Sequence, residues 1–220
     1  MEKRHLEILF EKLVNLYGYP GWFSTDGDFE TLVGVILMQG SLLKDVARAI
    51  EDMRREDLLD PRKLLLSPDE IIERCIKSTR FYRSKVRKLK EMTTLLERFQ
   101  FSVGRMKLHL KKVGIKDGKG MLMNIRGIGS ETADMILLQV SGIPVIPADR
   151  GLVRILERLY GEDFNEIRTK LENMRDKRFL NILPPLVLLL LEHSRVVCKS
   201  KPKCSVCVLK EECKSAPGGI

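Results

Sequence analysis

Apolar residues recur along this chain at three- and four-residue intervals, which is the spacing of an amphipathic α-helix. No stretch indicates a β-strand and no internal repeat is present, so the pattern predicts an all-α fold. Ser67 and Pro68 are expected to be the N-cap and the first residue of one helix. The predicted helices span residues 5–17, 29–37, 42–54, 68–77, 84–99, 102–112, 130–140, 152–159, 163–174 and 184–193.

Two glycines, Gly127 and Gly129, enclose a short turn before one of these helices. Glycine adopts positive φ freely, and without side chains the turn leaves its backbone open to a partner. Ser130 and Glu131 begin the following helix, whose free N–H groups and positive dipole end favour an anion such as phosphate. The alternative is a plain helix connection that binds nothing.

One acidic residue, Asp149, stands shortly before the predicted helix at 152–159. Aspartate is a common N-cap because its carboxylate accepts hydrogen bonds from the first N–H groups of a helix. The helical pattern alone predicts no more than this structural role for Asp149.

Both segments resemble the signature of the endonuclease III superfamily of DNA glycosylases. Residues 125–133, IRGIGSETA, resemble its helix-hairpin-helix motif, and residues 148–154, ADRGLVR, resemble the segment of its catalytic aspartate. Similarity to the family extends from residue 6 to residue 213, which is almost the whole chain.

The resemblance implies a fold of two helical lobes. One is a six-helix barrel at residues 28–142, and the other combines residues 1–27 with residues 143–220. A chain of 220 residues with 44% hydrophobic content can bury a core in one unit or in two such lobes. The resemblance also implies a cleft that holds Glu131 and Asp149, the two predicted catalytic residues.

The position of Glu131 bears on the reaction. In the bifunctional members of the superfamily, a lysine two residues after the second turn glycine attacks the sugar and goes on to cleave the strand. This chain has Glu131 there, and a carboxylate cannot form a Schiff base. The resemblance therefore implies a monofunctional DNA N-glycosylase, in which Asp149 stabilises an oxocarbenium-like sugar and water is the final nucleophile.

An alkylated purine such as 3-methyladenine is the expected substrate, because it carries positive charge and leaves as a neutral base. No histidine lies near the motif to act as a general acid. Three alternatives stay open: a bifunctional glycosylase/lyase that uses another lysine, a mismatch thymine, uracil or adenine glycosylase, and a non-catalytic DNA-binding protein. The carboxylate of Asp149 argues against the last, since phosphate binding does not need it.

Trp22 and Phe23 form an aromatic pair that either plugs the hydrophobic core or offers a stacking face to a flipped base. A cationic base would stack well on Trp22. Residues 21–41 are similar to the start of the endonuclease III-related 3-methyladenine glycosylases. This resemblance implies that Gln39 fills the gap left by an extruded nucleotide, whereas the helical pattern alone makes Gln39 a C-cap.

Basic residues exceed acidic ones, 39 against 30, which gives a formal net charge of +9 and favours a polyanionic partner. We expect that partner to be double-stranded DNA with a damaged or mismatched base. Residues 81–90 form a basic run, and such a run is usually a solvated helix face. The run also resembles a segment of the family. Its register against the apolar stripe Val86, Leu89, Met92 and Leu96 is expected to leave the cations free, so Lys85 and Lys88 are predicted to contact phosphates.

The chain has no apolar run of 18 residues, and its N-terminus lacks the apolar region of a signal peptide. We therefore expect a cytoplasmic protein that has no membrane partner. We also expect it to be a monomer.

Four cysteines near the C-terminus, Cys198, Cys204, Cys207 and Cys213, follow the pattern C-x5-C-x2-C-x5-C. In a cytosolic chain this pattern indicates a metal-ligand set, and four thiolates suit either zinc or a [4Fe–4S] cluster. Zinc sites usually pair two C-x2-C units, so the long arms here favour the larger cluster. The resemblance to the family's terminal loop also implies [4Fe–4S], which would order a basic loop with Lys201 against the DNA backbone.

Overall fold

The computed structural model describes residues 3–21, 23 and 28–218. Within these residues the protein has eleven α-helices and one 3₁₀ turn at Cys204–Val206, without a β-strand, which confirms the predicted all-α fold. The helices are α1 (Lys3–Tyr17), α2 (Phe29–Leu37), α3 (Leu43–Arg55), α4 (Pro61–Leu66), α5 (Asp69–Ile76), α6 (Tyr82–Glu97), α7 (Val103–Met123), α8 (Ser130–Gln139), α9 (Arg150–Tyr160), α10 (Phe164–Glu172) and α11 (Lys177–Val196).

The helices form two compact units. We call Pro20–Ile143 the central unit, and Met1–Tyr19 together with Pro144–Ile220 the terminal unit. In the central unit α2 packs against α3, α6 and α8, whereas in the terminal unit α11 packs against α1 and α9. The terminal unit therefore joins the two ends of the chain around α11.

Helix α2 lies in the core of the central unit. Asp28 is its N-cap, since the side chain accepts a hydrogen bond from the backbone N–H of Thr31 at 2.8 Å. Apart from Glu30, every residue of α2 is buried. A helix that is apolar on all sides is stable only when it is enclosed. The end of α2 consequently places Gln39 next to the core of the unit.

Helix α11 lies in the core of the terminal unit. Among the described residues it is the one helix long and apolar enough to cross a membrane by length and composition, but 72% of its apolar window is buried inside the fold. A core helix is expected to have this composition, because other parts of the protein surround it.

Several helices differ from the prediction, and α11 begins at Lys177 instead of residue 184. The pattern missed α4, a six-residue helix that is too short to show a clear period. Ser67 follows α4, and its hydroxyl donates to the carbonyl of Lys63 at 2.7 Å, so Pro68 and not Ser67 is the N-cap of α5. Helix α7 also continues far beyond residue 112, across a non-helical residue at Gly114.

Candidate active site

The turn before α8 depends on glycine at one position. Gly127 has φ +87, a backbone conformation that favours glycine, and a Cβ there would lie 2.5 Å from Cε of Lys88, so that the lysine side chain would have to move. Gly129 instead has φ −89 and is the N-cap of α8. The prediction of a freely adopted positive φ therefore holds for Gly127 and is wrong for Gly129. Ile128, which lies between them, is buried and anchors the turn.

The N-terminus of α8 is exposed to solvent. Gly129 provides no side-chain cap, and a Cβ on it would meet no atom within 4 Å. Ser130 and Glu131 are both exposed at the start of the helix. This end of α8 thus leaves room for an anion, and its binding to phosphate stays a prediction.

Gln39 links three helices of the central unit. Its amide nitrogen donates to the hydroxyl of Thr132 on α8, and its carbonyl oxygen accepts a hydrogen bond from Nζ of Lys88 on α6 at 2.5 Å. The C-cap of α2 is Met38, so Gln39 does not cap the helix. Burial, and secondarily the charge of Arg87, lower the pKa of Lys88. The hydrogen bonds to Thr132 and Lys88 hold the amide of Gln39 in one orientation beside the start of α8.

The prediction that Lys85 contacts DNA phosphate is wrong. Its side chain is 1% exposed, and its Nζ donates to the carbonyl of Leu37 at 2.6 Å and to the hydroxyl of Ser41 at 2.9 Å. The carbonyl groups at a helix C-terminus carry partial negative charge, which stabilises a cation there. Lys85 therefore holds the C-terminal end of α2 and with it the segment of Gln39.

We expect Lys85→Ala to lower the free energy of unfolding by about 2–4 kcal/mol, because it removes two buried hydrogen bonds and opens a cavity. Denaturant unfolding measures this change. Arg83→Ala is the matched control on the same helix, since Arg83 is exposed. The control should leave stability nearly unchanged but flatten the dependence of DNA affinity on salt. Equal stability of the two variants would contradict the burial of Lys85.

Phe81 was not identified from the sequence as a site residue. It adopts φ 57 just before α6, although its side chain is large, and it is 65% exposed. Its ring lies 3.7 Å from where a Cβ on Gly40 would stand, and the guanidinium of Arg80 lies 4.9 Å from the ring centroid. An exposed aromatic residue in a strained conformation is typical of a functional site. The sequence did offer one indication of Phe81, since it is an aromatic residue that lies outside the apolar stripe of α6.

The aromatic pair of the predicted base pocket is partly described. Trp22 lies outside the described residues. Phe23 is 6% exposed and belongs to the hydrophobic core. This matches the core-plug interpretation, because a stacking face would need exposed ring surface. The prediction that Phe23 offers such a face is therefore wrong.

Asp149 is the N-cap of α9 in the terminal unit. Its Oδ1 accepts hydrogen bonds from the backbone N–H groups of Gly151 at 2.6 Å and Leu152 at 3.1 Å. Its Oδ2 lies 3.9 Å from Nη2 of Arg195 on α11, and the two side chains are about one-fifth exposed, 20% and 21%. The carboxylate is therefore fixed by the helix while it remains accessible to solvent.

The four cysteines of the predicted metal loop line one cavity of about 60 Å³ in the terminal unit. Burial raises the pKa of the Cys207 and Cys213 thiols. In the described part of the chain, no three Cys, His, Asp or Glu side chains form a group that could hold a single metal ion. The four thiols thus surround a common space.

Two arginines of α9 connect the Asp149 helix to the cysteine loop. Arg154 donates to the carbonyl groups of Ser194 and Cys198, each at 3.0 Å. Arg158 donates to the carbonyls of Lys199 at 2.6 Å and Ser200 at 3.0 Å. The first arm of the loop is therefore attached to the helix that Asp149 caps.

The loop also carries exposed lysines, among them Lys199, Lys201 and Lys203. Lys201, which was predicted to contact the DNA backbone, is accessible to solvent. Its contact with phosphate stays a prediction.

These features match a known family. The model of the HhH-GPD superfamily base excision DNA repair proteins matches residues 33–179, which is more than half of the 220-residue chain. The protein therefore belongs to this superfamily and is a base excision repair DNA glycosylase related to endonuclease III. The predicted family is confirmed.

Particular relatives are similar over nearly the whole chain. A protein of Methanocaldococcus jannaschii named "Putative DNA repair glycosylase MJ1434" is 30% identical over 94% of each chain. The crystal structure of H. pylori 3-methyladenine DNA glycosylase (MagIII) bound to 1,N6-ethenoadenine covers 87% of this chain and 97% of its own, with a TM-score of 0.65 and 22% identity. A trapped endonuclease III–DNA covalent intermediate covers 98% and 97%, with a TM-score of 0.57 and 19% identity. At these identities the two structures show a shared fold.

Proposed function

We propose that this protein is a monofunctional DNA N-glycosylase that hydrolyses the bond between deoxyribose and an alkylated purine in double-stranded DNA. The observation that carries the proposal is a carboxylate, Glu131, at the first turn of α8. The resemblance to the family places the lysine of the bifunctional members at this position. A carboxylate cannot condense with the sugar aldehyde, which supports water as the group that completes the reaction. The product is then an intact strand with an abasic site.

Asp149 stabilises the positive charge that develops on the sugar as the bond from C1′ to the base nitrogen breaks. Its position favours this role because two backbone hydrogen bonds fix Oδ1. Such a preorganised group needs little reorientation during the reaction. The links from Arg154 and Arg158 to the cysteine loop keep its helix in place.

The surroundings of the three histidines support the proposed substrate class. An N3- or N7-alkylated purine leaves as a neutral base and needs no strong general acid. Burial lowers the pKa of His193 to about 4, and its ring contacts Tyr17 and Cys207. His5 packs against Tyr160 with ring centroids 5.4 Å apart, and His109 packs against Phe99 at 5.3 Å. The three histidines thus pack within the fold and have no assigned role as a general acid. This supports a substrate that needs none, an alkylated purine such as 3-methyladenine.

A lesion panel tests this substrate class. The protein is incubated with duplexes that contain 1,N6-ethenoadenine, a G·T mismatch, uracil or no lesion, and with genomic DNA treated with a methylating agent. Release of 3-methyladenine from the methylated DNA, measured by chromatography, is the expected result. Release of thymine or uracil alone would instead support the mismatch glycosylase.

Gln39 and Phe81 are proposed to contact the DNA where the damaged nucleotide is extruded. Gln39 is oriented by Lys88 and Thr132, and the exposed ring of Phe81 lies beside Gly40, the next residue in the chain. An aromatic face next to an amide can stack on a base and occupy the space that the flipped nucleotide leaves. The exposed N-terminus of α8 and Lys201 would contribute phosphate contacts.

Phe81→Asn should lower excision about 5- to 150-fold, because stacking of an aromatic ring on a base contributes about 1–3 kcal/mol. Folding stability should not fall, since asparagine tolerates positive φ better than phenylalanine does. Phe101→Asn is the matched control, because Phe101 also has positive φ, 59, and an arginine, Arg62, over its ring. Single-turnover excision on a lesion duplex measures the effect, and equal rates for the two variants would remove Phe81 from the site.

The cofactor of the cysteine loop is proposed to be a [4Fe–4S] cluster held by Cys198, Cys204, Cys207 and Cys213. The arrangement of these thiols around one cavity supports it. A single zinc ion, with Zn–S bonds of about 2.3 Å, would draw four thiolates to roughly 3.8 Å from one another. The larger [4Fe–4S] cubane holds its four thiolates farther apart than this. When bound, the cluster orders the loop and neutralises buried thiolates, and base removal itself needs no redox step.

A further inference from the structure

A chain of two hydrogen bonds runs from α1 through α11 to the cysteine loop. The hydroxyl of Tyr17 lies 2.9 Å from Nδ1 of His193, and Nε2 of His193 lies 3.2 Å from Sγ of Cys207. The ring of His193 is 0% exposed. A buried imidazole with a partner on each nitrogen has one orientation.

If Cys207 is a metal ligand, the position of the hydrogen atom in each of these two hydrogen bonds can be assigned. A thiolate ligand has no proton and can only accept a hydrogen bond, so Nε2 of His193 must carry the hydrogen. A neutral imidazole has one N–H, which leaves Nδ1 as an acceptor. Tyr17 can supply the second hydrogen bond, because burial, with the charges of Glu192 and Cys207, raises the pKa of its phenol and keeps it protonated. Each polar group then has a compatible partner.

We propose that His193 is a positioning residue for the metal cluster, which donates a hydrogen bond to the sulfur of Cys207 and is itself oriented by the hydroxyl of Tyr17. This inference rests on the proposed [4Fe–4S] cofactor. A hydrogen bond to a ligating sulfur withdraws electron density from it and makes the cluster easier to reduce. The same hydrogen bond holds the C-x2-C segment of the loop against α11.

A second contact attaches α1 to the loop. Nζ of Lys12 lies 3.2 Å from a carboxylate oxygen of Glu211 and 2.8 Å from one of Glu212. These two residues directly precede Cys213. Helix α1 therefore reaches the loop through His193 near Cys207 and through Lys12 near Cys213. The N-terminal helix thus supports the cluster from one side.

His193→Leu tests the hydrogen bond directly. In the full-length protein with its iron bound, we expect a lower reduction potential by film voltammetry and several-fold faster loss of visible absorbance under a chelator. His193→Gln keeps a donor near the position of Nε2, so its values should lie closer to those of the wild type. His5→Leu is the matched control, since it makes the same substitution on a histidine of α1 that packs against Tyr160.

Tyr17→Phe provides a second variant that removes one oxygen atom. It should shift the potential in the same direction as His193→Leu but by less, because the histidine loses its orientation and keeps its N–H. A potential and a bleaching rate equal to those of His5→Leu in both variants would overturn the proposal. If the purified wild-type protein contains no iron, the assignment of the [4Fe–4S] cofactor is overturned. Excision of alkylated bases tests the proposed reaction separately.

Discussion

Asp149→Asn is expected to abolish base release while it leaves binding to lesion DNA intact or tighter. The substitution removes the negative charge that opposes the oxocarbenium ion, and loss of such a preorganised group should raise the barrier by about 3 kcal/mol or more. Folding should be nearly unaffected, because asparagine is also a good N-cap and its oxygen can accept from Gly151 and Leu152. Single-turnover excision and a binding titration measure the two effects.

Asp163→Asn is the matched control for this experiment. Asp163 caps α10, and its side chain accepts a hydrogen bond from the N–H of Asn165 at 2.8 Å. It makes the same kind of cap as Asp149 and has no proposed role in the chemistry. Its excision rate should equal that of the wild type. Undiminished excision by Asp149→Asn would contradict the mechanism, and equal losses in the two variants would make the effect one of helix capping.

Cys204→Ser is expected to remove the colour of the protein. With the proposed cluster, protein purified without oxygen should be brown and absorb broadly near ~400 nm, where charge transfer from thiolate to iron falls. Loss of one ligand should release the iron and loosen the loop that α9 holds through Arg154 and Arg158. Iron analysis and protease digestion of the loop measure the change.

Cys75→Ala is the control for the colour measurement. Cys75 is 3% exposed and belongs to the core of the central unit, where burial raises the pKa of its thiol. This variant should keep the full iron content. A colourless wild-type protein with one zinc ion per chain would contradict the cluster and also the inference on His193.

Much of the fold could be predicted because apolar spacing is a local property of the sequence. The error on Lys85 shows how this information can be misread. Lys85 lies four residues before Leu89 and seven before Met92, which places it on the buried face of α6. The spacing therefore indicated burial, while the charge of the residue suggested a solvated side chain. Packing at the end of α2 decided the outcome, since the carbonyl of Leu37 accepts the ammonium hydrogen bond.

The site was less predictable, because its contacts join distant parts of the chain. Gln39 bonds to Lys88 and to Thr132, which are 49 and 93 residues away. The spacing of apolar residues does not indicate which distant residues form hydrogen bonds with each other. Asp149 was easier, since a cap depends on neighbouring backbone groups, and the sequence already indicated it. Phe81 was missed because its proposed role rests on an unusual φ and on its closeness to Gly40, neither of which a local pattern indicates.

The most direct measurement of the central claim is borohydride trapping of the wild-type protein on a duplex with an alkylated purine, with alkali treatment in parallel. Because Glu131 stands at the start of α8 in place of an amine, we predict no covalent protein–DNA adduct, and strands that stay intact until alkali cuts them at the abasic site. A trapped adduct, with strand cleavage before alkali, would show that a lysine attacks the sugar and would contradict the monofunctional mechanism.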